Sequence, residues 1–170
     1  MQIQARTNIV LIGMPGAGKS TVGVILAKRT ARDFIDTDVL IQLDQKKPLQ
    51  DIVDKQGHLA LRAVEERVLL GLHCESTVIA TGGSAVYSEA AMRHLRNLGV
   101  IVYLQLDLSA LERRVADFSM RGLAKRADQS FADLYAERKP LYERCAEITI
   151  DCAGKSPEQI SAEIDALLSR

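Results

Sequence analysis

The chain has 170 residues, of which 47% are hydrophobic, so it can bury a full core and lacks the composition of a disordered segment. It carries 22 basic and 22 acidic side chains and no net charge, which disfavours nucleic acid as a partner. No apolar run is long enough to span a membrane, and residues 1–6 lack the apolar stretch of a secretory signal, so we expect a cytoplasmic protein with no membrane partner.

The first elements predict a nucleotide site. The apolar run 9–12 predicts a short buried strand, and the apolar spacing in 21–31 predicts a helix. Between them, residues 13–20 read GMPGAGKS and fit the phosphate-binding pattern G-x-x-x-x-G-K-[ST] at every fixed position. Glycines let backbone N–H groups approach a phosphate closely, and the helix start adds unpaired donors and the positive end of its dipole. This order of strand, glycine loop and helix predicts that the chain binds a nucleoside triphosphate.

The side chains of this loop suit the same task. Lys19 supplies a mobile positive charge for the outer phosphates, and the hydroxyl of Ser20 is a ligand for Mg²⁺, which bridges phosphate oxygens. A glycine-rich turn before an ordinary helix is the alternative interpretation. The residues expected to bind the nucleotide belong to the loop and the start of the helix: Gly13, Gly16, Ala17, Gly18, Lys19, Ser20 and Thr21.

Strand and helix patterns alternate along the rest of the chain. Strands are predicted at 34–36, 78–80, 100–104 and 148–150. Helices are predicted at 38–44, from Pro48 onwards, and at 59–73, 88–98, 130–144 and 156–168. This alternation predicts an α/β fold, with a parallel sheet of about five strands and helices on both faces. Without an internal repeat or a linker, we predict a single domain over 1–170.

Local signals refine these elements. Ser109 and Glu112 form a capping-box signature for a further helix, and Ser156 is expected to cap the last one. Pro140 predicts a kink or break within 130–144, because proline lacks the backbone N–H of a helix interior.

Three predicted strands end in polar or glycine residues, at 13–20, 36–38 and 81–84. Ligands of parallel α/β sheets bind beyond the carboxyl ends of the strands. We therefore expect these three segments to meet at one cleft.

With these motifs in order, the chain resembles the shikimate kinase family of P-loop kinases over nearly its whole length. The residues that carry the resemblance are 13–21, FIDTD at 34–38, Gly57-x4-Arg62-x2-Glu65, ATGG at 80–83, Arg121 and ERKPLY at 137–142. The resemblance implies a three-layer P-loop kinase fold with a mobile lid at about 118–129 and an acceptor-binding helical region at about 38–74. It also implies transfer of the γ-phosphate of ATP, with Mg²⁺, to a hydroxyl of a small acidic acceptor. Shikimate is the leading acceptor, which would place the reaction in aromatic amino-acid biosynthesis.

The same resemblance implies the catalytic roles. Lys19, Asp38 and Arg121 would be catalytic, with Asp38 accepting the proton of the acceptor hydroxyl and Arg121 neutralising the transferred phosphoryl group. Asp36 would join Ser20 in binding Mg²⁺. An N-cap role is the alternative for Asp38.

For the acceptor, the resemblance implies that Arg62 and Arg138 hold a carboxylate through paired hydrogen bonds. Glu65, one helical turn from Arg62, would pair with it or orient it. The full expected acceptor site is Asp38, Arg62, Gly82, Gly83, Ser84 and Arg138. Arg114 would stack on the adenine, and the adjacent Arg113 is the alternative.

Three positions depart from the family pattern, all on the acceptor side or in the lid. Ser84 stands where a third glycine is usual, Leu61 where phenylalanine is usual, and 122–124 read GLA where Pro-Leu-Leu is usual. Neutral drift in a shikimate kinase would explain them. A different acceptor, such as a nucleoside monophosphate, gluconate or an amino-acid alcohol, stays open, and so does a non-catalytic nucleotide-binding module. We expect a monomer.

Overall fold

The computed structural model describes residues 6–117 and 123–169, without the side chains of 116 and 117. Within these residues the strands are β1 (Asn8–Ile12), β2 (Asp33–Asp36), β3 (Thr77–Ala80), β4 (Gly99–Gln105) and β5 (Ile148–Asp151). The helices are α1 (Lys19–Thr30), α2 (Thr37–Gln45), α3 (Leu49–Gln56), α4 (His58–Leu70), α5 (Glu89–Leu98), α6 (Leu108–Asp117), α7 (Phe131–Cys145) and α8 (Pro157–Leu168). A short 3₁₀ turn, Ala85–Tyr87, follows β3.

The strands form one parallel sheet in the order β2-β3-β1-β4-β5. β1 lies in the middle, where Val10 pairs with Ile79 of β3 on one side and Ile101 of β4 on the other. Every residue of β1 and β3 is buried, as expected of parallel strands covered on both faces. The predicted α/β fold with a five-stranded parallel sheet is confirmed.

The strand order brings the three predicted polar segments together. β2, β3 and β1 are neighbours, so the segments that follow their carboxyl ends emerge side by side. α1 leaves the end of β1 and packs against β3 and α8, while α2 begins directly at the end of β2. At this edge of the sheet, the segment that follows β3 therefore lies between the phosphate loop after β1 and the segment after β2.

A second, smaller apolar cluster lies apart from the main core. Ile41 of α2, Ile52 of α3 and Leu61 of α4 pack together with Ala124, and all four are buried. This cluster joins three consecutive helices into one wall beside the sheet edge. It gives the region 38–74 a core of its own.

Three predicted local features came out differently. α1 begins at Lys19, two residues before the predicted start, because Gly18 is the N-cap. The Ser109 capping box was wrong: α6 begins at Leu108, and the carboxylate of Asp107 accepts the N–H of Ala110 at 2.7 Å. A break at Pro140 was also wrong, since α7 runs through it to Cys145.

The last two helices, α7 and α8, each begin with a capping box. Ser130 and Asp133 form a reciprocal capping box at the start of α7. Ser156 and Gln159 form another at α8, which confirms the predicted cap there.

Within the described ranges, no helix is both long and apolar enough to cross a membrane.

Candidate active site

The phosphate loop connects β1 to α1 and depends on backbone that only glycine adopts easily. Gly16 has φ 84°, and a Cβ there would lie 3.1 Å from a methyl of Val115. Gly18, with φ 94°, is the N-cap of α1 and needs no side-chain cap. The first turn of α1 therefore presents unpaired backbone N–H groups beside a loop that carries little side-chain bulk.

Lys19 is buried at the start of α1, with 8% of its surface exposed. Its ammonium donates hydrogen bonds to the carbonyls of Gly13 at 2.7 Å and Met14 at 2.9 Å. Burial lowers the pKa of Lys19 to about 8, and the negative charges of Asp38 and Asp36 partly oppose this shift. A phosphate beside this ammonium would favour its charged form.

Ser20 and Asp36 place a hydroxyl and a carboxylate together where the loop meets the end of β2. The Ser20 hydroxyl donates to Oδ2 of Asp36 at 2.6 Å. The other oxygen of Asp36 accepts the N–H of Asp38 at 3.0 Å and caps α2. Asp36, not Asp38, is therefore the N-cap, and the alternative role for Asp38 is wrong.

Asp38 lies in the first turn of α2 and lines the cleft. Burial raises the pKa of its carboxyl, the neighbouring Asp36 raises it further, and Lys19 opposes both. Gly82 lies against it: a Cβ on Gly82 would come within 2.7 Å of Oδ1 of Asp38. The absence of a side chain at Gly82 thus keeps this carboxylate accessible from the end of β3.

Arg138 projects from α7 into the same cleft and is 1% exposed. Its Nη2 donates to the carbonyl of Ala124 at 2.8 Å, and its Nε donates to the hydroxyl of Tyr87 at 3.3 Å. A Cβ on Gly83 would lie 2.8 Å from its Nη1, so Gly83 leaves room for the guanidinium. These contacts fix a positive charge in the cleft that Asp38 also lines.

Arg62 does not share that cleft. Its guanidinium stacks on the ring of Tyr87, 3.5 Å from the ring centre, and lies 3.9 Å from a carboxylate oxygen of Glu137. It lines an adjoining cavity of about 320 Å³. The structure thus places the two expected carboxylate-binding arginines in neighbouring cavities, with Tyr87 in contact with both.

Glu65 also differs from expectation. It was expected to pair with or orient Arg62, but its Oε2 accepts a hydrogen bond from the hydroxyl of Ser84. Burial raises the pKa of Glu65 to about 7, although the bond from Ser84 opposes the shift. Its other oxygen, Oε1, is buried and has no hydrogen-bond partner among the described residues.

Arg114 lies against the phosphate loop. Its guanidinium donates to the carbonyls of Gly16 at 3.1 Å and Ala17 at 3.3 Å. Arg113 is exposed and does not line the cleft. The sequence offered both arginines as candidates for contacting the adenine, and Arg114 is the one that lies beside the phosphate loop.

These parts enclose a cleft of about 500 Å³. The expected site residues that line it are Gly16, Gly18, Lys19, Ser20, Thr21, Asp38, Gly82, Gly83, Ser84, Arg114 and Arg138. Three more do not line the cleft but accept hydrogen bonds from lining residues: Gly13 from Lys19, Ala17 from Arg114 and Asp36 from Ser20. Arg121, the expected lid arginine, and Gly122 fall outside the described residues. The apolar side of the cleft comes from Ile41, Leu49, Leu61, Leu123 and Ala124.

Tyr87 is a site residue that sequence reasoning missed. Its hydroxyl donates to Glu137 at 2.5 Å and accepts from Arg138, while its ring lies under Arg62. Gln129, at the end of the 123–130 connection, also donates to Glu137 at 2.8 Å. The ERKPLY motif pointed to Glu137 and Arg138, but a single tyrosine after β3 carries no signal of its own.

Comparison with known proteins shows which family the chain belongs to. The family model for shikimate kinase matches residues 15–169. The chain belongs to the shikimate kinase family. A shikimate kinase 2 of Enterobacter sp. (strain 638) is 34% identical over 161 residues, covering 92% of this chain and 92% of the relative. A shikimate kinase of Bacillus cereus (strain AH187) is 34% identical over 158 residues, covering 92% of this chain and 95% of the relative.

Solved structures extend the match to the fold. A shikimate kinase from Acinetobacter baumannii in complex with shikimate superimposes with a TM-score of 0.86 and 29% identity, over 98% of this chain and 95% of that one. The shikimate kinase of Aquifex aeolicus vf5 has a TM-score of 0.81 and 31% identity, over 95% and 96%. The predicted P-loop kinase fold is confirmed, and as a shikimate kinase family member the protein is an ATP-dependent phosphotransferase acting on a hydroxyl group.

Proposed function

We propose that this chain transfers the γ-phosphate of ATP to a hydroxyl of shikimate, giving shikimate 3-phosphate. One observation carries the proposal: the carboxylate of Asp38 and the guanidinium of Arg138 line the same cleft as Lys19 of the phosphate loop. A base, an anion-binding group and a phosphate-binding group within one cleft suit phosphoryl transfer to a hydroxy acid. The relative from Acinetobacter baumannii, which binds shikimate, supports the choice of acceptor.

On the nucleotide side, the proposal assigns the phosphates to the loop, its lysine and the start of α1. The ammonium of Lys19 would exchange its bonds to the loop carbonyls for the outer phosphates. Arg114, which already lies on the loop, would contact the nucleotide beyond the phosphates.

Ser20 and Asp36 fit a magnesium site, and we propose that they hold Mg²⁺ together with the nucleotide. Both offer hard oxygen ligands, and the hydroxyl oxygen of Ser20 lies 2.6 Å from Oδ2 of Asp36. Among the described residues, no cluster of three or more His, Cys, Asp or Glu side chains surrounds a metal position. A site with one carboxylate suits Mg²⁺, which typically keeps water and phosphate oxygens as its other ligands. When bound, the ion neutralises charge on the phosphate oxygens.

On the acceptor side, Asp38 would accept the proton of the attacking hydroxyl. Its raised pKa makes it a better base than an exposed aspartate. Arg138 would bind the carboxylate of the acceptor. Arg62 would bind the same carboxylate after giving up its present contacts with Glu137 and Tyr87. Arg121, within a lid at 118–129, would neutralise the transferred phosphoryl group.

The test is a panel of acceptors in an assay that measures ADP release, with shikimate, gluconate, homoserine and a nucleoside monophosphate at equal concentration. Saturable ADP release with shikimate, and with no other acceptor of the panel, supports the proposal. Lys19→Ala serves as the control for contaminating kinases, because it removes the phosphate-binding charge. Turnover of another acceptor and not of shikimate would refute the named substrate, and no turnover of any would favour a non-catalytic module.

We further propose that the chain acts as a monomer in the cytoplasm. Light scattering after size-exclusion chromatography tests the first part, with a mass near 18.7 kDa expected for a monomer. A mass of twice that value would refute it. Fractionation of the source cells tests the second part.

A further inference from the structure

Ser84 is the departure from the family pattern that adds a polar group to the lining of the cleft. It follows Gly83 at the end of β3 and is 8% exposed. Its backbone, with φ −91° and ψ −2°, suits any residue. Neither glycine nor serine is therefore required by the backbone, and the effect of this position comes from its hydroxyl group.

The hydroxyl of Ser84 acts on Glu65, which is 3% exposed in α4. It donates to Oε2 of Glu65, and both residues line the acceptor cleft and the adjoining cavity that holds Arg62. Arg62 is one helical turn from Glu65, close enough for the pairing expected from sequence, yet its ion pair is with Glu137. Ser84, and not Arg62, is therefore the hydrogen-bond partner of this oxygen.

The second oxygen of Glu65 is the observation that points to a ligand. Oε1 is buried and has no hydrogen-bond partner in the described part of the chain. A Cβ on Gly82 would lie 2.6 Å from this oxygen and 2.7 Å from Oδ1 of Asp38. The two carboxylate oxygens therefore border the same small space beside Gly82. An unpaired buried carboxylate oxygen is costly, so a donor from a bound molecule fits this position.

We propose that Ser84 is a positioning residue, which holds Glu65 so that Oε1 accepts a hydrogen bond from a hydroxyl of the acceptor. This inference deepens the proposed function and rests on it. It means that the acceptor meets two carboxylates, Asp38 and Glu65, and that acceptors with a second hydroxyl beside the reacting one are preferred.

The charged groups around Glu65 determine how the Ser84–Glu65 pair responds to pH. The groups that act on it lie on three helices and in the connection after β3, and are Lys19, Asp38, Arg138 and Ser84. Arg62 on the same helix also interacts with it. Burial and Asp38 favour the neutral carboxyl, whereas the bond from Ser84 and the two cations favour the carboxylate. Loss of the Ser84 hydroxyl therefore raises the pKa of Glu65 further above its present value of about 7.

The experiment compares Ser84→Ala, Ser84→Thr and the wild type in full-length protein, with kcat and KM for shikimate measured from pH 5.5 to 9. Ser84→Ala is expected to raise KM at pH 7 by about 3- to 10-fold, the effect of one hydrogen bond, and to move the acid limb of kcat/KM to higher pH. The loss falls on KM for the acceptor rather than on kcat or on KM for ATP. Ser84→Thr keeps the hydroxyl and restores both values. Equal acid limbs and equal KM in Ser84→Ala and the wild type would overturn the inference.

A second measurement separates this inference from the proposed function. The carboxyl ¹³C signal of Glu65, assigned by its loss in Glu65→Gln, is titrated in the wild type and in Ser84→Ala. A higher pKa for Glu65 in Ser84→Ala is expected, and equal pKa values would overturn the positioning role whatever the acceptor is. Failure of the wild type to phosphorylate shikimate, with the expected Glu65 shift present, would refute the proposed substrate and leave the positioning of Glu65 supported.

Discussion

The hydroxyl of Ser20 donates a 2.6 Å hydrogen bond to the carboxylate of Asp36, which joins the phosphate loop to the end of β2. The other oxygen of Asp36 caps α2 through the N–H of Asp38. One side chain thus fixes the relative positions of the nucleotide loop and the proposed base. A change at Asp36 should affect metal binding and the start of α2 together, and two substitutions separate these effects.

Asp36→Asn keeps an oxygen that caps α2 and removes the charge that would bind Mg²⁺. We expect the Mg²⁺ concentration for half-maximal activity to rise about 10-fold, with little change in the free energy of unfolding. Asp36→Ala should show the same metal defect and also lose about 1 kcal/mol of stability with the cap. Activity titrated with Mg²⁺ and urea unfolding measure the two effects. An unchanged Mg²⁺ requirement in Asp36→Asn would contradict the metal assignment.

Asp38→Asn replaces the proposed base with an isosteric amide. We expect kcat to fall by about 10²- to 10⁴-fold, the usual contribution of a positioned base. Because burial already disfavours the charge of Asp38, the melting temperature should not fall. Steady-state kinetics and thermal unfolding provide the readouts. Wild-type kcat in this variant would mean that no proton is accepted by Asp38.

Gly82→Ala would place a methyl group within 2.7 Å of carboxylate oxygens of both Glu65 and Asp38. We expect KM for the acceptor to rise at least about 10-fold, because the side chains that must hold the acceptor are displaced. KM for ATP should change little. Gly71→Ala is the matched control, since a Cβ there meets its neighbours at an ordinary 3.5 Å. Equal acceptor KM in both variants would show that the space beside Gly82 is not used.

The buried carboxyl of Glu65 makes stability depend on pH. Its pKa is raised from 4.5 to about 7 in the folded protein, so the stabilising effect of its bound proton is full below pH 4.5 and is lost as pH rises through 7. The difference corresponds to about 3 kcal/mol. Glu65→Gln cannot titrate, so its free energy of unfolding should fall less between pH 5 and 8 than that of the wild type. Urea unfolding at several pH values measures both, and parallel curves would contradict the raised pKa.

The parts of the site that sequence predicted are those in which residue type alone sets local geometry. The loop 13–20 is one case, because its glycines and Lys19 determine both backbone path and ligand. The strand ends are another, since apolar runs fix the strands and parallel pairing brings their ends together. The position of Asp38 at the cleft follows from its place after β2, whereas its proposed role came from the family resemblance.

The parts that sequence could not predict depend on which of two neighbours a side chain reaches. Glu65 can bond either to Arg62 one turn away or to Ser84 after β3, and the packing of the 3₁₀ turn against α4 decides between them. Tyr87 contacts both arginines because the turn after β3 approaches α7, which no local pattern records. Asp107 and Ser109 are both good capping residues and lie two positions apart. The sequence pattern therefore does not show that Asp107 is the one that caps α6.

The central claim is that shikimate accepts the phosphate of ATP in the cleft between Lys19, Asp38 and Arg138. Shikimate-dependent ADP release by the wild-type chain, with saturating ATP and Mg²⁺, tests it most directly. We predict saturable turnover with kcat/KM of about 10⁴ M⁻¹s⁻¹ or more, within the range of working enzymes. A rate no higher with shikimate than without it, in protein that turns over another hydroxyl acceptor, would contradict the claim.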